Sequence, residues 1–175
     1  MKSRSIAVIA TLAALSAIPA VAVAQHSHDS HAQSAHEAPR LAFDAGRKWA
    51  TDAPLRRAME DIRSALYQKR QQVLDRSLGE AQSKALGQLI EARVATIVAE
   101  CKLEPRADAN LHIVVAELVE AADVLQGKSR LEPVRGAAKA IRAAQMYATY
   151  FDHPGWRPIY GDESGAVAST DASKP

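Results

Sequence analysis

The chain has 175 residues, with 22 Lys and Arg against 20 Asp and Glu, six His and one Cys. This near balance, with no basic face, excludes an electrostatic nucleic-acid binder, and a lone Cys excludes an internal disulfide. Aromatic residues make up only 5%, and no stretch alternates apolar with polar, so a sheet is not expected.

Lys2 and Arg4 precede an apolar run from Ile6 to Ala24 that closes on Ala22-Val23-Ala24. A basic start, an apolar centre and a small-residue exit predict a secretory signal peptide over 1–24 and a periplasmic protein. Its removal takes two of the 22 basic residues and leaves 20 against 20 acidic, a net charge of zero. No later stretch is apolar enough to span a membrane. Residues 25–40 hold His26, His28, His31 and His36 among polar neighbours. Such a segment buries too little to fold, and it reads as a flexible arm whose imidazoles capture transition metals weakly.

The folded part is expected over 41–160. Leu41 to Ala50 form a lead-in anchored by Phe43 and Trp49. Thr51 or Asp52 caps helix 1, with Pro54 in its first turn. Leu55, Met59, Ile62, Leu66 and Val73 form its inward stripe. Asp75 to Gly79 make a turn, and Ser77 with Glu80 stand at capping-box spacing. Helix 2 turns Leu86, Ile90, Val94, Ile97 and Cys101 inward and ends near Lys102, before Pro105. Helix 3 starts near Arg106 to Asp108, buries Leu111, Val115, Leu118, Ala122 and Leu125, and carries His112 on the flank. Gly127 ends it. Ser129 and Glu132 offer a second capping box, and helix 4 runs through Val134, Ala137, Ile141, Ala144, Ala148 and Phe151. Asp152-His153-Pro154-Gly155 stops that helix, Trp156 to Tyr160 fold back, and 161–175 reads as a disordered tail. Four such helices joined by short turns predict an all-α, antiparallel up-down-up-down four-helix bundle.

In that topology a helix-1 start, a helix-2 end, a helix-3 start and a helix-4 end share one pole. The only Cys, both histidines outside the arm, and one internal Met fall there: Met59, Cys101, His112 and His153. Met59 lies about 10 Å along its helix from Asp52, and His112 about 6 Å from Asp108. Thiolate, thioether and imidazole together suit copper; zinc seldom uses Met, and calcium and magnesium want oxygens. The expectation is a copper carrier or buffer with those four residues as ligands, His153 the least certain. A metal-free interaction or stress-response bundle is an alternative. No acid–base pair or activated nucleophile is visible, so no enzyme is expected.

Three stretches, Gly46 to Leu55, Cys101 to His112 and Tyr150 to Trp156, resemble a family of small exported bacterial proteins labelled DnrO-like, over Leu41 to about Tyr160. That resemblance implies export and no particular activity. More loosely, the chain is similar to cytochrome b562, a periplasmic haem bundle. Leu55-x-x-x-Met59-Glu60 resembles the first helix that carries that family's methionine ligand. The family's haem histidine would fall around Tyr147 or Ala148, where this chain has none, and His153 comes about a turn later. No Cys-x-x-Cys-His motif occurs to attach a c-type haem. The resemblance implies the bundle fold and, as an alternative to copper, a b-type haem on Met59 with His112 or His153.

Overall fold

The computed structural model describes residues 40–161. The signal-peptide, arm and tail expectations, with His26, His28, His31 and His36, lie outside those residues. The described residues form four helices: α1 (Ala53–Leu74), α2 (Glu80–Glu100), α3 (Pro105–Leu125) and α4 (Pro133–Tyr150). The all-α four-helix fold expected from periodicity is what forms.

Each helix starts where its sequence offers a stop for orphan amides. Asp52 caps α1, its carboxylate taking the Leu55 N–H at 2.9 Å. Glu104 caps α3, and its carboxylate accepts from the amides of Arg106 and Ala107. Pro105 is the first residue of α3 rather than only the terminator of α2, because a first-turn proline lacks an N–H that would be unsatisfied anyway. The same holds for Pro133 in α4. The two expected Ser capping boxes do not form. Gly79 is the N-cap of α2, with Gln82 Oε1 reaching back to its amide at 3.4 Å, and Glu132 precedes α4. Ser129 instead accepts the Leu131 amide within the preceding turn. At the far end of α3, Gly127 takes φ +75°, the left-handed position that ends a helix.

Successive helices return along one another. Asp52 meets Lys102, and Asp61 meets Arg93 at 2.8 Å, a charge contact off the hydrogen-bond axis. Gly87 of α2 faces Ala122 and Gln126, and Gly136 of α4 faces Ala121 and Leu125. α1 packs on α2 and α4, α3 packs on both as well, and α2 touches α4 across the centre. The predicted stripes supply the core, with Leu55, Met59, Ile62, Leu66, Ile90 and Leu118 fully enclosed. α3 and α4 approach closely because their facing surfaces are Gly and Ala: Ala121, Ala122, Gly136, Ala137, Ala140, Ala143 and Ala144 are buried. Val115, expected inward, is only half-buried; Val114 takes its place in the core.

The lead-in and the C-terminal segment are tied together. The Trp49 amide donates to Tyr150 O, and the Asp152 amide donates to Trp49 O, both at 2.8 Å. Trp49 is buried, with its indole N–H on Ala42 O. Beyond α4 the chain folds back: Ile159 is buried and Tyr160 Oη donates to Arg70 O at 3.3 Å.

Candidate functional site

Hydrogen bonds bring four helix ends to one pole. Asp52, ahead of α1, accepts the Lys102 amide at 2.6 Å, just past α2. The Ala42 amide donates to Asn110 of α3, and Thr51 Oγ1 donates to Asp152 O past α4. Burial opposes charge on Asp52, but the Lys102 and Leu55 amides, the Cys101 thiol and Arg56 outweigh it. The carboxyl is held below its ordinary range.

Cys101 is the C-cap of α2 and is half-buried. Burial, then the neighbouring Asp52 carboxylate, which also accepts the thiol's hydrogen bond, then Asp108, push its pKa up to about 12. The thiol is therefore protonated at neutral pH. Cys101 lines a cleft of about 190 Å³ with Ile97, Val98, Asp108, Leu111, His112 and Val115. His112 sits on the outer face of α3. Its Nδ1 donates to the Asp108 carbonyl at 2.9 Å, with an Asp108 carboxylate oxygen at 3.4 Å. A carbonyl can only accept, so Nδ1 carries the proton and Nε2 holds the lone pair. Ligating histidines are oriented this way, with the second nitrogen fixed by a carbonyl or carboxylate.

His153 belongs to a different cluster. Its Nδ1 lies 3.0 Å from Tyr147 Oη, and Tyr147 is fully buried. Trp156 packs on both rings, each 5.1 Å away between centroids. His153 lines a surface cleft with Arg56, Arg57, Glu60, Asp61 and Pro154. Burial first, then Arg56 and Arg63, hold its pKa below the usual histidine range against the pull of Glu60 and Asp152. Met59 lies at zero exposure in the hydrophobic cluster.

Of the four predicted ligands, the structure thus brings Cys101 and His112 to one cleft, faces His153 toward another, and encloses Met59 in the core. Among the described residues no group of three or more His, Cys, Asp and Glu is placed to hold a metal ion. The sequence names Asp52, Asp108 and Tyr147 only as a cap, a helix start and a haem-histidine position, not as partners of the candidate ligands. The pairing of Asp108 was within reach, since it stands one helical turn before His112. Nothing in the spacing of Tyr147 marks it as a partner of His153.

No family model, curated protein or solved structure matches this chain.

Proposed function

We propose that the bundle binds a soft metal ion, copper(I) first, at its polar end, as an exported carrier or buffer. The observation that carries this reading is the His112 ring. Asp108 fixes its Nδ1–H and leaves Nε2 as the donor, on the cleft that Cys101 also lines. Thiolate and imidazole are the donors copper(I) prefers, and two suffice for a low-coordinate ion. Met59 is not in this set, because it is enclosed in the core, and His153 is engaged by Tyr147. Haem is the weaker alternative for the same reason, since a macrocycle on Met59 would require the core to open. The arm histidines His26, His28, His31 and His36 add weak sites.

A metal-free interaction bundle is the second reading. The Cys101 thiol, hydrogen-bonded to Asp52 and pushed up to about 12, favours it. A copper(I) competition titration of the full chain against a chromophoric chelator separates the two. The copper reading expects tight binding that Cys101→Ser and His112→Ala each abolish and Met59→Leu leaves intact. Binding should tighten about tenfold per pH unit, because the metal displaces one thiol proton. Absence of competitive binding in the wild-type chain establishes the second reading, and a Soret band would establish haem.

A further inference from the structure

The segment after α4 is fastened to the bundle at a few points. His153 meets Tyr147 Oη through Nδ1, its ring edge-on to the phenol at 5.8 Å between centroids. The Trp156 amide donates to His153 O at 3.0 Å and closes the turn, and the indole covers both rings. Further along, Ile159 is buried and Tyr160 Oη reaches Arg70 O on α1. The one fastening whose chemistry changes near neutral pH is the first.

We propose that residues 153–160 are a proton-released strap: it lies closed while His153 is neutral and loosens from the bundle when His153 takes up a proton. A neutral imidazole can offer Nδ1 as a lone pair to the Tyr147 hydroxyl, whereas an imidazolium can only donate. The phenol oxygen must then accept, and its own proton must turn elsewhere inside a fully buried site. The neighbouring hydroxyl is Thr51, which already donates to Asp152 O and accepts from Arg56 Nη1 at 3.1 Å, so a single lone pair is left there for that proton.

The charges around His153 do not rescue the imidazolium. From α1 it faces Arg56, Arg57, Glu60, Asp61 and Arg63; from its own segment, Asp152 and, beyond Glu60, Arg157. Glu60 would be its natural counter-ion, but Arg63 holds that carboxylate through two contacts of 2.8 and 2.6 Å. α4 offers only the Tyr147 hydroxyl. Opening lets the imidazolium reach water, and it uncovers the Tyr147 side of the α1–α4 seam.

The test is hydrogen exchange on the full chain at pH 7.5 and 5.5 (about one unit either side of the ordinary histidine pKa), corrected for intrinsic rates. Amides of 153–160 should lose protection at the lower pH, by up to about tenfold, the limit set by a pH one unit below the ordinary histidine pKa. Those of α4 should keep theirs. His153→Gln, neutral at both values, should abolish the difference. If that variant fails to fold, NMR titration of the wild type serves instead: the Trp156 indole signal should move with the midpoint of the His153 ring. Equal protection of the strap at both pH values overturns the proposal. So does pH dependence that survives in His153→Gln, or a Trp156 signal that does not follow His153.

Discussion

Asp52 sits where a helix start, a helix end and a thiol all need the same carboxylate. Asp52→Ala leaves the Leu55 and Lys102 amides without their acceptor, so a loss of about 1–3 kcal/mol is expected in urea unfolding. The same change removes a negative charge beside Cys101, and the thiol pKa should drop. Alkylation rate against pH reads that directly, and an unchanged midpoint would show that burial alone sets it. Met59 gives a contrasting residue-scale expectation. As an enclosed core side chain rather than a ligand, Met59→Ala should cost about 2–5 kcal/mol in stability. Met59→Leu, which keeps the volume, should cost less than about 1.5 kcal/mol.

Between elements, the decisive positions are two glycines. A Cβ on Gly136 would stand 2.9 Å from Ala121 O and 3.0 Å from the Leu125 amide nitrogen. On Gly87 it would meet Ala122 O at 2.9 Å and Gln126 Cγ at 2.8 Å. Backbone atoms do not yield as flexible side chains do, so the helices must separate. Gly136→Ala should destabilise by about 1–3 kcal/mol even though alanine is the better helix former by about 1 kcal/mol. A higher unfolding midpoint would mean that the seam is looser than it looks. These glycines also show what was readable beforehand. The 3.6-residue period placed Leu55, Ile62, Ile90 and Leu118 inward, because burial repeats locally. It could not say that Tyr147 would find His153, which depends on how the chain turns after α4, or that Asp52 would reach Lys102, which depends on how the ends of α1 and α2 meet. Cys101 and His112 were placed at one pole by topology alone. Met59, grouped with them by the same topology, lies at zero exposure among the core side chains, because an inward stripe position leads there.

Across the whole molecule, the shifted groups set a dome of stability against pH. Asp52 and Glu60 are held below their ordinary 3.8 and 4.5, Glu60 chiefly by Arg63. The unfolded chain therefore binds their protons first, and stability falls as pH drops through about 4. His153 is depressed from 6.5, so the unfolded chain also takes that proton first, and a shallower loss begins below that value. On the alkaline side Cys101 is raised from 9.0 to about 12. The unfolded thiol ionises first, and stability falls again as pH rises above 9.0. Thermal midpoints across pH should show both flanks, with Cys101→Ser easing the alkaline one and His153→Gln the step near 6.5. Deleting residues 25–40 should lower copper stoichiometry and leave the tightest affinity nearly unchanged. Loss of all binding on deletion would move the site to the arm.

The Trp49 tie to the end of α4 also has a consequence in time. Thr51 and Asp152 are separated by 101 positions, and closing a loop of about a hundred residues costs about 4 kcal/mol of chain entropy. The lead-in is therefore the earliest part of the fold to be synthesised and the latest to find its seat. A chain interrupted before Tyr150 leaves the Trp49 indole uncovered, and completion of the last helix hides it. In a Trp156→Phe background, Trp49 emission during refolding should lag behind the far-ultraviolet helix signal, reporting the moment at which the two ends of the fold meet.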